Sequence, residues 1–250
     1  MKNKIFKKDC IEGMKSLKKK SFNLIIADPP YNLNKDFGVY KEKINKDNWK
    51  IITFSWLSEC YRLLSNKGNI FVYGIHRNIW WVHSTMDELG FKYRRQIIWH
   101  YENGFAGYGK NSLNAEYEPL LWFSKTDNYI YYPIRVPYKS VDRLKYKVTK
   151  NNKVWIPNPK GRMEGDVWKF PTLAGRRFKD EKVDHPTQKP LSISRRIVKH
   201  FSNKGDQILI PFCGSGSECV ASILEKRKFL SFELNKNYIN LTKQRLKKIQ

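Results

Sequence analysis

The feature that most narrows the fold of this chain lies near its end. Asp206 to Ile210 is a short apolar run with the composition of a buried strand. Pro211-Phe212-Cys213-Gly214-Ser215-Gly216 follows, then a helical stretch from Ser217 to Glu225, then a second apolar run, Phe229 to Phe232, ending at Glu233. Strand, glycine loop, helix, strand is a βαβ unit, whose crossover lays its two strands parallel. Parallel strands are buried on both faces, so the chain must supply further strands beside them and helices above and below. The glycines permit a tight turn and a close approach of ligand to backbone, and an acid at the position of Glu233 can hold ribose hydroxyls. The loop lacks the third glycine of a dinucleotide fingerprint and the Lys-Ser/Thr of a P-loop, which suits a nucleoside without a pyrophosphate. A close-packed turn would use the same glycines, so the loop alone leaves both readings open.

The rest of the chain supplies the expected partners. Lys4 to Asp9 reads as an edge strand ending in an acid, and Cys10 to Leu17 as one or two helical turns. Phe22 to Ala27 is aliphatic and β-branched, a buried strand. Residues 32–48 are polar and Lys- and Asn-rich, either a lid beside a site or an ordinary solvated loop. Helical periodicity over 49–65 stops at Ser65-Asn66-Lys67-Gly68. Strand Asn69–Tyr73, helix Asn78–Leu89, strand Phe91–Tyr101 and strand Tyr117–Phe123 follow. Leu191–Phe201 and Asn237–Lys248 read as helices. Alternation of this kind predicts an α/β fold with mostly parallel winding.

Asp28-Pro29-Pro30-Tyr31 stands just past the Phe22–Ala27 strand. The prolines stiffen the turn and lack N–H groups. Asp28 and the neighbouring carbonyls are thereby set as acceptors at a strand's carboxyl end, where open α/β sheets bind ligands. Tyr31 adds an aromatic face. Acceptors beside an aromatic plate suit a flat ring carrying an amino group.

From about Glu102 to Asp184 the texture changes. Tyr129, Tyr131, Tyr132, Arg135, Tyr138, Arg143, Lys145, Tyr146 and Lys147 interleave base and ring, as do Trp155, Lys160, Arg162, Trp168, Arg176 and Arg177. Cationic groups suit phosphates, while Arg and aromatic groups contact base edges or stack. The whole chain has 48 Lys and Arg against 23 Asp and Glu, a net charge of +25, which argues for a polyanionic partner. A Lys-rich genome accounts for part of that excess. Hydrophobic residues at 40% exclude global disorder. No apolar stretch is long enough to span a bilayer, and the Lys-rich start has no continuous apolar segment of a signal peptide. Cys10, Cys60, Cys213 and Cys219 have no metal-ligand spacing, so we expect a reduced cytoplasmic protein with no metal site.

Taken together, Asp28-Pro29-Pro30-Tyr31, then His185-Pro186-Thr187-Gln188-Lys189-Pro190, then Pro211 to Gly216 with Glu233, occur in the order of the β class of amino-methyltransferases of DNA. The chain resembles that class over nearly its whole length. The resemblance implies a Rossmann-like, mostly parallel seven-stranded sheet with one antiparallel strand, helices on both faces and a circularly permuted motif order. It implies a catalytic and cofactor-binding domain from 1–102 and 183–250, with a target-recognition region, 103–182, inserted in it. The implied cofactor is S-adenosyl-L-methionine and the implied partner double-stranded DNA, with a cognate restriction endonuclease and a homodimer as open partners. Asp28, Pro29, Pro30 and Tyr31 map to the catalytic motif. Asp9, Asp28, Thr187, Lys189, Phe212, Gly214, Ser215, Gly216 and Glu233 map to cofactor contacts, Glu233 to the ribose acid and Asp9 to the adenine end. Asp at position 28 favours adenine N6 over cytosine N4 as the methylated atom. Methylation of RNA or of a protein glutamine, and a DNA-binding protein without catalysis, are the rival classes. One departure stands out: the family often has Asp before the Pro-Phe of the glycine loop, and this chain has Ile210. The resemblance therefore predicts a site missing one carboxylate at the cofactor's charged end.

Overall fold

In the computed structural model the described residues are 3–32, 44–101, 103, 111 and 113–249. They form strand β1 (Lys4–Lys7), helix α1 (Cys10–Lys15), β2 (Phe22–Ala27), α2 (Lys46–Leu63), β3 (Leu64–Tyr73), α3 (Ile79–Glu88), β4 (Lys92–His100) and β5 (Tyr117–Ser124). Four short strands come next: β6 (Arg135–Val136), β7 (Val148–Lys150), β8 (Lys153–Trp155) and β9 (Arg162–Met163). The chain returns through β10 (Val167–Lys169), α4 (Leu191–His200), β11 (Gln207–Ile210), α5 (Ser217–Leu224), β12 (Lys228–Glu233) and α6 (Lys236–Lys247).

The main sheet has the order β1-β12-β11-β2-β3-β5-β4-β10. All neighbours are parallel except β5, which runs against both β3 and β4. Seven of these strands are the seven implied by the resemblance. The eighth, β10, comes from within 103–182 and pairs with the last third of β4, Val167 with Ile98 and Lys169 with His100. β5 lies within 103–182 as well, between β3 and β4, so that segment supplies an interior strand of the sheet together with its edge strand β10.

Strand periodicity sorts the apolar residues to two faces. Ile25 and Ala27 of β2, Ile70 and Val72 of β3 and Leu209 of β11 pack under α1, α2 and α3. Leu24 and Ile26, Phe71 and Tyr73, Ile208 and Ile210 point the other way, against α4 and α5. This two-faced burial is why the central runs read as continuous apolar stretches.

Two expectations change. Ser65 to Gly68 has turn composition, yet α2 passes directly into β3, with Leu64 paired to Phe22 and a register shift before Leu24. The backbone there is held extended by partners distant in sequence: Lys125 N–H donates to the Gly68 carbonyl and Ile130 N–H to that of Lys67. Of the loop expected over 32–48, residues 33–43 lie outside the described residues, and Lys46 onward is already helix α2.

The order of the strands places the site. From β2 the chain proceeds to β3 on one side, and from β11 to β12 on the other. The loops leaving these adjacent parallel strands diverge, and the crevice between them is a topological switch point.

Candidate active site

Asp28-Pro29-Pro30-Tyr31 leaves β2, and Pro211 to Gly216 leaves β11, so the two motifs face each other across that crevice. Between them is a cavity of about 280 Å3. Asp9, Asp28, Pro29, Pro30 and Tyr31 line it, as do Thr187 and Lys189 from the chain before α4. Phe212, Gly214, Ser215 and Glu233 complete the set. Gly216 is not among the lining residues. It caps α5 with a left-handed φ of 77°, and a Cβ there would stand 2.4 Å from Thr242. Its lack of a side chain serves the packing of α5 on α6.

The glycine loop is braced on every side. Gly214 N–H donates to Glu233 Oε2 at 2.9 Å, and Asn235 N–H to Oε1 at 2.8 Å, so the Glu233 carboxylate is fixed through both oxygens. Burial pushes this carboxyl upward in pKa, while those amides oppose the rise. Arg245 of α6 donates to the Ser215 carbonyl at 2.6 Å, and Ser217 Oγ to the Lys189 carbonyl at 2.7 Å. Phe212 meets Trp56 edge-on at 5.4 Å between ring centres. Trp49 and Trp56 of α2 give that side of the cavity an apolar wall. Asp9 is exposed and caps α1, accepting at Oδ1 from the N–H groups of Ile11 and Glu12.

The catalytic motif holds a charge cluster. Lys189 Nζ lies 3.1 Å from Asp28 Oδ1, 3.2 Å from Glu118 Oε2 and 3.2 Å from the Tyr31 hydroxyl. The Tyr31 hydroxyl in turn donates to Asp28 Oδ1. Lys189 is 4% exposed and surrounded by the rings of Tyr31, Tyr73 and Trp99. Burial disfavours its charge, but the carboxylates of Asp28 and Glu118 outweigh that and hold the ammonium above its ordinary pKa. Lys189 is thus a buried strut behind Asp28 as well as part of the cavity wall. Tyr31 is also buried, its hydroxyl spent on Asp28, so its ring is a wall here and not the open plate expected from the sequence.

These contacts decide which acceptors remain. The Pro30 carbonyl accepts from Trp49 Nε1 at 3.2 Å and the Tyr31 carbonyl from Asn78 Nδ2 at 2.9 Å. Asp28 Oδ1 is taken twice. Asp28 Oδ2 and the Pro29 carbonyl have no donor among the described residues. Two acceptors on a stiff turn, beside a ring, match the two hydrogens of an amino group.

Sequence reasoning missed Glu118, Glu218 and Arg245. Glu118 carried a signal, being the one acid in the apolar run Tyr117–Phe123. Glu218 carried one as well, following the glycine loop by two residues. Arg245, on the amphipathic last helix, had none.

The middle segment divides into core and surface. Tyr129 and Tyr131 pack on Trp122, Tyr131 also on Phe201, and Trp168 is buried, so these rings fill a minor core that β5, β10 and α4 leave open. In contrast, β7 and β8 form a two-stranded ribbon exposed at every residue, Val148 opposite Trp155 and Lys150 opposite Lys153. Asn151 and Asn152 close it with φ of 51° and 57°, the left-handed pair of a type I′ hairpin turn. Trp155 is 63% and Tyr146 64% exposed.

Known proteins resemble this chain in sequence and in fold. The type II methyltransferase M1.MboII of Moraxella bovis is 30% identical over 251 residues, covering 95% of this chain and 94% of that protein. The DNA adenine methyltransferase YhdJ of Escherichia coli (strain K12) is 31% identical, covering 95% of this chain and 80% of that protein. Among solved structures, the M1.HpyAVI–SAM complex matches with a TM-score of 0.67 at 24% identity, over 97% of this chain and 98% of that one. The cytosine-N4-specific PvuII DNA methyltransferase matches with a TM-score of 0.72 at 15% identity, over 98% and 86%. These structures agree with the observed fold. The family model described as DNA methylase, for N6 and N4 methyltransferases, matches residues 22–244, from the start of β2 into α6, and the chain belongs to that family.

Proposed function

We propose that this DNA methylase transfers the methyl group of S-adenosylmethionine to the exocyclic N6 of adenine in double-stranded DNA, at a specific sequence, as the modification partner of a restriction endonuclease. The observation that carries the reading is the pair of acceptors without a donor among the described residues, Asp28 Oδ2 and the Pro29 carbonyl, in the same cavity as Glu233 and the glycine loop. When bound, S-adenosylmethionine supplies an electrophilic methyl group on a sulfonium. The residues fit it: Glu233 is a fixed acceptor for ribose hydroxyls, Trp56 and Phe212 give an apolar wall, and Gly214 allows close approach. Asp28 and Pro29 accept the two amino hydrogens, concentrate electron density on nitrogen and fix its direction. The nitrogen lone pair would form the new bond to the methyl carbon as the carbon–sulfur bond breaks with its pair left on sulfur; the nitrogen, then cationic, would lose one proton, for which Asp28 Oδ2 is the acceptor at that atom. Positioning and electrostatics carry the catalysis. A duplex hides the amino group, so the base must leave the stack.

Adenine is favoured by Asp28 and by the adenine methyltransferase among the relatives. The PvuII enzyme has the same fold and a different target, so the fold does not separate the two bases. For recognition, the β7–β8 ribbon supports a contact in the major groove, which admits a two-stranded ribbon and would bring Lys150, Lys153 and Trp155 to phosphates and base edges. Methylation-aware sequencing of DNA from a host expressing the chain tests the reading. N6-methyladenine at one sequence context is expected, and absence of any new modified base refutes it.

A further inference from the structure

The sequence predicts a site missing one carboxylate, because Ile210 stands where the family often has Asp. The structure holds a carboxylate in the cavity all the same, on a different element. Glu218, in the first turn of α5, lines the cavity and is 5% exposed. Its Oε1 accepts from Ser194 Oγ at 2.9 Å. Its own backbone N–H also serves the carboxylate, which forms no ion pair among the described residues. Burial, with the charge of Asp28 added, pushes this carboxyl upward in pKa, against the opposing pull of its own N–H, Ser194 and Lys189.

The charges around it point the same way. Asp28, Glu118 and Glu218 are three acids, and only Lys189 among the described residues is paired into the cluster, to the first two. Lys189 and Arg245 act on Glu218 only from beyond ion-pair distance, and a buried acid without a contacting cation costs stability unless something compensates it. An apolar or hydroxyl side chain at 218 would avoid the cost, whereas the carboxylate present lines the cavity. Ile210 belongs to the apolar cluster under α4 that includes Ile193, next to the Ser194 that holds Glu218. The position lacking the carboxylate and the position gaining it therefore lie against the same helix.

We infer that Glu218 binds the α-ammonium group of the cofactor's methionine part, standing in for the acid absent at position 210. This rests on the proposal that the cavity takes S-adenosylmethionine. The test is isothermal titration calorimetry of the full chain and Glu218→Gln with three ligands. These are S-adenosylmethionine, S-adenosylhomocysteine, which keeps the ammonium without the sulfonium, and 5′-methylthioadenosine, which has neither. The Gln variant should bind the first two about tenfold or more weakly, the size of one charge-assisted hydrogen bond, and methylthioadenosine within about twofold of the wild type. Glu218→Asp, which keeps the charge on a shorter arm, should retain more of the affinity than Gln. Equal losses for all three ligands make Glu218 a packing residue and overturn the assignment. A loss confined to S-adenosylmethionine assigns Glu218 to the sulfonium and also overturns it. Unchanged binding of all three by the variant overturns the assignment alone, whereas a wild type that binds none overturns the cofactor reading together with it.

Discussion

Replacing Lys189 with Met should separate the structural from the chemical part of the catalytic motif. Met keeps the length and fits the ring of Tyr31, Tyr73 and Trp99, but it leaves Asp28 and Glu118 sharing a site with no cation between them. Removing one partner of a buried ion pair costs about 3–5 kcal/mol. The two carboxyl side chains keep 19% and 24% exposure, so water relieves part of this and the low end, about 3 kcal/mol, applies. In a chain of this size about 3 kcal/mol lowers the melting temperature by roughly 6–12 °C. Lys189 is held above its ordinary value of 10.5, so its contribution is complete below that pH and fades only as pH rises past it. A comparison at neutral pH therefore reads it in full. Adding Glu118→Gln to Lys189→Met should recover about 1–2 kcal/mol, since one charge of the unpaired couple is removed. Calorimetric melting of the two single variants and the double variant measures this. If Lys189→Met melts within about 2 °C of the wild type, Lys189 is not the strut described here.

Glu233→Ala should weaken S-adenosylmethionine binding more than tenfold, because ribose hydroxyls lose a charged acceptor worth about 1.5–3 kcal/mol; calorimetry reads it. Tyr31→Phe keeps the ring but removes one of the two groups that hold Asp28 Oδ1, and should lower kcat by the equivalent of about 0.5–1.5 kcal/mol with KM for DNA unchanged in steady-state assays. Lys150→Ala with Lys153→Ala should weaken DNA binding and reduce the slope of log K against log salt by about 2, measured by fluorescence anisotropy across a salt series.

Much of this was legible because the core is patterned so simply. Phe22–Ala27 and Asp206–Ile210 could only be buried strands, and the glycine loop between the second of these and α5 fixed a parallel crossover. The Ser65–Gly68 segment misled because its composition speaks of a turn, while its backbone partners, Lys125 and Ile130, lie some sixty residues away. Tyr129, Tyr131 and Trp168 resembled exposed stacking residues, since base and ring interleaved look the same whether the ring packs inward or outward. For Lys189 the motif gave a place in the cavity but not the ion pair to Glu118, which depends on β5 lying antiparallel beside β4. Glu218 was overlooked for a similar reason: a carboxylate in a helix's first turn is ordinary until its burial in a ligand cavity is seen.

The measurement that bears most directly on the central claim is transfer of tritiated methyl from S-adenosylmethionine to duplex DNA, with the product nucleosides separated by chromatography and Asp28→Ala run in parallel. Label in N6-methyl-2′-deoxyadenosine is expected for the wild type. For Asp28→Ala that label should be lost and DNA affinity retained, if affinity rests on the basic surface and Asp28 acts on one amino group as proposed. Label in N4-methylcytosine would contradict the choice of base. Near-normal turnover by Asp28→Ala would contradict the acceptor mechanism itself.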